Sequence, residues 1–267
     1  TGPACLSLCQ DVQGETFDYP EEFFKERIHN IRRPKPDDFQ IKQAMEKIKK
    51  SKKPIIISGG GVFYSDAMDE LGSFAIKHNI PVTQTVMGYS TMKRDHSHFL
   101  GPIGGLGGKA ANNLAKETDL AICVGTKLAD FTTGSWANFE NPEFKLVSIN
   151  IARHDANKHL AEAVIGDAKV CLSELSNSLG NWKSPDSWHK KSQDELKSWN
   201  EYVDKESGPT NQETPNYAHA VGAIYRNSDP TDIAVTAAGG LVGEVVQVWR
   251  PKELNTHETE WGFSCMS

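Results

Sequence analysis

Residues 54–61 read Pro54-Ile55-Ile56-Ile57-Ser58-Gly59-Gly60-Gly61, and this stretch decides the fold class. Three consecutive β-branched residues without polar alternation predict a strand that is buried on both faces, as in a parallel sheet. The glycines remove every Cβ at the carboxyl end of that strand, so the backbone there can approach a neighbouring chain or a ligand closely. Ligands of open α/β sheets bind at this edge. A tight strand-to-helix turn without a ligand explains the glycines equally well.

Helical and strand patterns alternate around this stretch. Apolar residues at helical spacing predict a helix from Asp38, and Ser65-Asp66 is a plausible N-cap for a second helix. Apolar runs predict further strands at residues 80–86, 119–125 and 145–150, and Gly166-Asp167-Ala168 precedes another helix. Residues 4–9 also have the pattern of a strand. This alternation is typical of an α/β fold, with a Rossmann-like parallel sheet and helices on both faces.

The predicted strands end in glycine or in small polar residues, which places several loops at one edge of one sheet. These loops predict a nucleotide-type crevice, either occupied or vestigial, because glycine-rich loops that open a helix present free N–H groups to an anion. The alternative is that the glycines only let helices dock on the sheet. The candidate crevice residues are Gly59, Gly60, Gly61, Gly104, Gly105, Gly107, Gly125, Thr126 and Asn150.

The composition changes after residue 181, where tryptophans alternate with lysines and serines. A helix is predicted from Ser187 to about Glu206, and its apolar side is expected to pack against a neighbouring domain. A new helix–strand–helix unit follows, with Ala237-Ala238-Gly239-Gly240 at the end of its strand. One such unit cannot bury a sheet alone. Both ends of the sequence resemble cut positions, so we expect a segment of a longer protein.

Bulk properties exclude some classes of function. A net charge of −6 does not favour nucleic-acid binding, and no apolar run reaches the length of a membrane span. The five cysteines form no Cys-x-x-Cys pair, which favours reduced thiols in a cytoplasmic protein and disfavours a zinc site. We expect His96 and His98 to lie on the surface and the pair Arg32-Arg33 to belong to a solvated linker.

Several motifs together resemble the acetolactate-synthase group of thiamine diphosphate enzymes. They are Gln10-Asp11-Val12-Gln13, Lys52 to Val62, Asn79-Ile80-Pro81-Val82, Asp119 to Thr126 and Gly166-Asp167-Ala168. Within that group, other stretches resemble the trihydroxycyclohexanedione hydrolases of inositol catabolism. These are Asp18 to Phe24, Arg32 to Pro36, Asp130 to Gly134 and Glu260 to Met266.

The resemblance implies a domain organisation. Residues 1–20 are similar to the tail of a pyrimidine-binding domain, and residues 38–182 to a complete central domain. Residues 213–267 are similar to the beginning of a diphosphate-binding domain. Residues 21–37 and 183–212 then form a linker and a linker helix.

The resemblance also implies the chemistry. Such enzymes cleave the bond between the two carbonyls of a cyclic 1,2-dione with water, using thiamine diphosphate and Mg²⁺, in homodimers or homotetramers. The family's catalytic glutamate and its magnesium motif would fall before Thr1 and after Ser267, so this chain alone is expected to be inactive and to contain no metal ligands. In the family, Ala237-Ala238-Gly239-Gly240 corresponds to the loop near the diphosphate, and Met266 to the apolar residue beneath the cofactor. Met266 suits a core position equally.

Two substitutions relative to the family pattern disfavour a flavin. Lys127 stands where an arginine is usual, and Asn150 stands where an aspartate is common. FAD is therefore not expected in the central domain. Two other functions stay open. One is an acetolactate synthase or 2-oxo acid decarboxylase, and the other is a nucleotide-binding module without catalytic activity.

Overall fold

The computed structural model describes residues 5–260, in two units that divide after residue 32. The first unit contains helix α1 (Gln10–Gln13) and a 3₁₀ turn (Glu21–Phe24). All of its described residues are exposed, and Tyr19 contacts Phe23 at a ring separation of 5.0 Å. The prediction of a strand at residues 4–9 is wrong for residues 5–9, because the described part of this unit offers no second strand to complete a ladder. Ala4 lies outside the described residues.

The second unit is built on a six-stranded parallel sheet, which confirms the predicted fold class. The order is β3-β2-β1-β4-β5-β6. The chain runs from β1 through β2 to β3 at one edge, and then returns to β4 beside β1 and continues to β6 at the other edge. The strands are β1 (Pro54–Ser58), β2 (Val82–Gln84), β3 (Phe99–Pro102), β4 (Leu120–Val124), β5 (Lys145–Asn150) and β6 (Glu162–Ile165). Sequence patterns predicted β1, β2, β4 and β5 but not β3 or β6, which lie at the two edges.

Helices connect these strands and form two groups. Helices α2 and α4 each contact α8, whereas α5 contacts α9. Short 3₁₀ turns lie at Val86–Gly88 and Lys158–Leu160. The helices are α2 (Asp38–Lys50), α3 (Gly60–Tyr64), α4 (Met68–His78), α5 (Lys109–Glu117), α6 (Asp130–Thr133), α7 (Arg153–Ala156), α8 (Ala168–Leu179) and α9 (Asp186–Glu206).

Local chemistry explains where these elements begin. All five residues of β1 are buried, as their unbroken apolar pattern predicts. The Asp37 carboxylate accepts a hydrogen bond from the Phe39 N–H and caps α2. The predicted cap at Ser65-Asp66 is wrong. The Asp66 N–H bonds to the Phe63 carbonyl in a turn with a φ of +51°, and α4 begins only at Met68.

The segment before α2 is anchored at Arg33 and Pro34 by hydrogen bonds to the residues around Ser65 and Asp167. Arg33 Nη1 lies 3.0 Å from Asp167 Oδ2 and also donates to the Ser65 carbonyl. The Asp167 N–H donates to the Pro34 carbonyl, and the Asp167 carboxylate caps α8. The expectation of a solvated linker is therefore wrong for Arg33, because a buried carboxylate attracts it, whereas Arg32 is exposed.

Helix α9 connects two apolar clusters, as its tryptophans and leucine predicted. At one end the Trp188 indole N–H donates to the Pro54 carbonyl at 2.9 Å, and Leu196 joins the core of the sheet. At the other end Val203 packs with Val221 and Val245. The elements beyond it are α10 (Tyr217–Asn227), β7 (Ala234–Thr236), α11 (Leu241–Val248) and β8 (His257–Thr259), and β7 pairs with β8 in parallel. The domain boundaries inferred from sequence stay predictions.

The cysteines of the described region are unpaired. Cys123 and Cys171 are buried, and burial raises the pKa of the Cys171 thiol to about 12, which keeps it protonated and unreactive. Cys5 and Cys9 are exposed, and Cys265 lies outside the described residues. Across residues 5–260, none of the helices combines the length and the apolar character needed to cross a membrane.

His98 is buried, so its predicted surface position is wrong. Its ring stacks on the ring of His189 from α9, with a centroid separation of 4.1 Å and an angle of 16°. Its Nε2 lies 3.2 Å from Asn79 Oδ1. Burial and the neighbouring His189 and His96 lower the pKa of His98 to about 4. The sequence predicted that the apolar side of α9 packs, but not that α9 covers His98, and this contact excludes water from the ring.

This stack makes the unfolding free energy sensitive to acid. Because the pKa of His98 is about 4 in the folded chain, against 6.5 ordinarily, the unfolded chain binds the extra proton between these two values. We expect the free energy of unfolding to fall with pH from about 6.5 to about 4, and His98→Gln to reduce that slope by roughly 1 kcal/mol per pH unit. Urea unfolding at several pH values measures both slopes. A change of equal size in His154→Gln, which alters an exposed histidine of α7, would contradict this origin.

Candidate functional site

The candidate crevice lies where the order of the strands reverses. Strands β1 and β4 are neighbours there, although they are not consecutive among the strands in sequence, and such a switch point is the usual ligand position of an open α/β sheet. Gly59 to Gly61 follow β1, Gly125 and Thr126 follow β4, and Asn150 ends β5. The prediction that these loops meet at one edge is confirmed.

The glycines after β1 pack directly against the turn after β4. The Gly61 N–H donates to the Gly125 carbonyl at 2.9 Å. A Cβ on Gly59 would lie 2.4 Å from the Gly125 oxygen, and a Cβ on Gly61 would lie 2.6 Å from the Gly125 Cα. Gly125 itself has a φ of +62°. Contact between the two backbones therefore accounts for these glycines without a ligand.

The polar side chains of the crevice also form hydrogen bonds to backbone groups of the neighbouring loop residues. Asn150 Nδ2 donates to the Thr126 carbonyl at 3.1 Å, and Asn150 Oδ1 accepts from the Ala152 N–H at 3.0 Å. The Thr126 hydroxyl accepts from the Leu128 N–H. A ribose or phosphate would have to compete with these bonds. Nucleotide binding at this edge stays a prediction.

The loop after β3 docks on α6, the short helix that follows β4. The Gly105 N–H donates to the Phe131 carbonyl at 2.7 Å. Gly104 has a φ of +103°, and a Cβ on it would lie 2.0 Å from the same oxygen. A Cβ on Gly107 would lie 2.4 Å from the Ile103 carbonyl carbon, and Asn112 exchanges two hydrogen bonds with Gly104. Close packing thus explains Gly104 and Gly107 as well, whereas a Cβ on Gly105 would approach no described atom closer than 3.8 Å.

The loop at residues 237–240 is different, because its small residues are not all required by neighbours. Ala237 and Ala238 are half-buried, whereas Gly239 and Gly240 are exposed. Gly239 needs glycine for its φ of +142°, but Gly240 has an ordinary helical φ of −64°. A Cβ on Gly240 would meet no atom of the described residues within 4 Å. The loop therefore leaves space in front of α11, which fits close approach by a diphosphate group.

A buried polar cluster, Tyr89, Arg250 and His257, was missed by sequence reasoning. The rings of Tyr89 and His257 meet edge to face at 5.2 Å, and burial lowers the pKa of His257 to about 4. Arg250 pairs with Asp204 of α9, and its carbonyl accepts from the Tyr225 hydroxyl at 3.0 Å. Tyr89 Oη, Arg250 Nε and His257 Nε2 have no partner among the described atoms. The cluster packs β8 against the turn after β2. This contact is long-range, and no local sequence pattern predicts it.

Met266 lies outside residues 5–260, so its predicted position beneath a cofactor stays a prediction. Within those residues, no group of three histidines, cysteines or carboxylates is arranged to hold a metal ion.

The contrast between packed and open glycines predicts opposite effects on stability. Gly125→Ala combines a left-handed backbone with a clash and should lower the free energy of unfolding by about 2–4 kcal/mol. Gly240→Ala should leave it unchanged or raise it by about 0.5 kcal/mol, because only the unfolded chain loses freedom. Urea denaturation of both variants measures the difference. Equal losses in the two variants would show that Gly240 is packed as tightly as Gly125.

Comparison with known proteins identifies the family. Residues 41–175 match the family described as "Thiamine pyrophosphate enzyme, central domain". Three relatives share the name 3D-(3,5/4)-trihydroxycyclohexane-1,2-dione hydrolase. The protein of Clostridium perfringens (strain 13 / Type A) is 37% identical over 289 residues, that of Clostridium botulinum (strain Alaska E43 / Type E3) is 38% identical over 289, and that of Bacillus anthracis (strain CDC 684 / NRRL 3495) is 37% identical over 290.

Each alignment covers 100% of this chain but 45% of the relative, so the chain spans less than half the length of these proteins. The resemblance to thiamine diphosphate enzymes and to the dione hydrolases among them is thereby confirmed. The matched segment begins within α2, contains the whole six-stranded sheet and ends within α8. The chain belongs to the thiamine pyrophosphate enzyme family, with that family's central domain at residues 41–175.

Proposed function

We propose that this chain is part of a thiamine diphosphate-dependent hydrolase that opens the ring of a cyclic 1,2-dione by cleaving a carbon–carbon bond. The observation that carries the proposal is identity of 37–38% to the dione hydrolases over the whole chain, not only over the central domain. Segments before residue 41 and after residue 175 therefore resemble these relatives as well.

The loop at residues 237–240 supports a role in holding the cofactor. Its open side lies between β7 and α11, and among residues 5–260 Gly240 has no packing neighbour that requires a glycine. Ala237 and Ala238 keep the loop narrow, so that their backbone can approach a diphosphate. When bound, thiamine diphosphate supplies the electron sink for the bond that is cleaved. The contribution of this chain would be to position that cofactor through the backbone of residues 237–240.

Further parts of the proposal concern the intact protein. We place it in myo-inositol breakdown, in the cytoplasm, as a homodimer or homotetramer without nucleic-acid or membrane partners. The exposed apolar side chains of Tyr64, Ile151 and Leu160 support an assembly, since they follow β1 and β5 and remain uncovered in the single chain. A purely nucleotide-binding function receives no support from the packed glycines after β1 and β4.

Turnover of the cyclic dione tests the activity. The native protein, supplied with thiamine diphosphate and Mg²⁺, should consume 3D-(3,5/4)-trihydroxycyclohexane-1,2-dione and form one acidic ring-opened product, which mass spectrometry detects as the substrate plus one water. Pyruvate is the control substrate. Release of CO₂ from pyruvate without consumption of the dione would contradict the hydrolase activity and would indicate an acetolactate synthase or a 2-oxo acid decarboxylase instead.

A larger side chain at Gly240 should weaken cofactor binding without unfolding the chain. In the native protein, Gly240→Val places a branched side chain where the diphosphate is expected, so the Kd for thiamine diphosphate should rise at least about tenfold. The unfolding free energy should change by less than about 1 kcal/mol. Ala223→Val is the matched control, because Ala223 is an exposed helical position of α10 away from the loop. Unchanged cofactor affinity in Gly240→Val would exclude the loop from the cofactor site.

A further inference from the structure

A cleft of about 540 Å³ lies on the helical side of the sheet, between α5, α9 and α11. It lies within the usual size range of small-molecule sites. Its principal lining residues are Lys109, Asn113, Glu195, Trp199, Tyr202 and Gln247. Neither the crevice after β1 and β4 nor the loop at residues 237–240 contributes to it.

One wall of the cleft is aromatic. The rings of Trp199 and Tyr202 stack with a centroid separation of 5.3 Å and an angle of 24°. Tyr202 is 54% exposed although it is a large aromatic residue. Gly108 lets the indole approach α5, because a Cβ there would lie 2.7 Å from Trp199 Nε1. The wall is therefore held in place by packing before any ligand arrives.

The opposite side of the cleft is polar and balanced in charge. Asn113 Nδ2 donates to Glu195 Oε2 at 2.9 Å, which fixes a carboxylate at the rim. The side chains of Lys109 and Gln247 have no hydrogen-bond or ion-pair partner within residues 5–260. An anionic ligand would meet Glu195, and a cationic ligand would meet Lys109. The free groups supply both donors and acceptors, which suits a neutral ligand with several hydroxyl groups.

We propose that this cleft binds a polyhydroxylated six-membered ring, either a pyranose sugar or a cyclitol. The C–H face of such a ring packs on the aromatic wall formed by Trp199 and Tyr202. Its equatorial hydroxyls then meet the amide of Gln247, the ammonium of Lys109 and the carboxylate of Glu195. Hydroxyls at several positions can use donors and acceptors together, which a planar apolar ligand cannot.

Saturation-transfer NMR on the full chain tests the site with two probes, myo-inositol and D-glucose. Saturable binding in the millimolar range is expected for at least one probe, and the stronger of the two identifies the source of the ring as cyclitol or sugar. Tyr202→Ala removes part of the wall and should weaken binding about tenfold, and Gln247→Ala should weaken it about threefold. Tyr217→Ala is the control, because Tyr217 is a 65% exposed tyrosine of α10 outside the cleft.

Circular dichroism and urea unfolding establish that each variant is folded before binding is compared. Absence of saturable binding for both probes at tens of millimolar would overturn the proposal, since that limit corresponds to less than about 3 kcal/mol of affinity. Equal binding by Tyr202→Ala and the unaltered chain would also overturn it, as would binding of AMP with no binding of either polyol. The measurement needs no catalytic turnover, so its outcome is independent of the proposed hydrolase activity.

Discussion

The backbone contact between the loops after β1 and β4 is the constraint on which the rest of the structure depends. Gly61 and Gly125 approach so closely that neither can carry a side chain. The paired strands β1 and β4 join the two halves of the sheet, and this contact lies at their carboxyl ends, where the order of the strands reverses. It also sets the start of α3 and the turn that leads to α6, onto which the loop after β3 docks. Packing between the loops therefore accounts for these glycines without any ligand.

This packing separates two kinds of glycine-rich loop that look alike in sequence. In the central sheet, each loop uses its glycines to meet another loop, and Asn150 and Thr126 bond to nearby backbone. At residues 237–240, Gly240 meets nothing in the described chain. A loop whose small residues are not required by neighbouring protein atoms is the better candidate for contact with a cofactor. The loop at residues 237–240 lies outside residues 41–175, the segment that matches the family's central domain.

Sequence alone predicted the interior of the sheet well and its edges poorly. Strands β1 and β4 are buried on both faces and therefore appear as unbroken apolar runs. Strand β3 contains Gly101 and Pro102 and lies at an edge, where fewer neighbours select its residues, so its pattern is weak. The burial of His98 was missed for a related reason. It results from α9, which is distant in sequence, and local patterns carry no information about such docking.

The site could be predicted only in part for the same physical reason. Glycine-rich stretches mark where the backbone comes close to something, but they do not say whether the neighbour is protein or ligand. Only the atoms around Gly59 and Gly240 distinguish the two cases. The cluster of Tyr89, Arg250 and His257 escaped notice because Tyr89 is more than 150 residues away in sequence from Arg250 and His257.

Cofactor content of the native protein tests the central claim most directly. The protein is denatured, and the extract is assayed for thiamine by thiochrome fluorescence and for flavin by absorbance. Thiamine without flavin is the predicted result, since Lys127 and Asn150 depart from the flavin-type pattern and the loop at residues 237–240 is the proposed cofactor loop. Flavin in the extract would contradict the expectation that the central domain holds no FAD. Absence of thiamine, even after reloading with thiamine diphosphate and magnesium, would contradict the enzyme assignment itself.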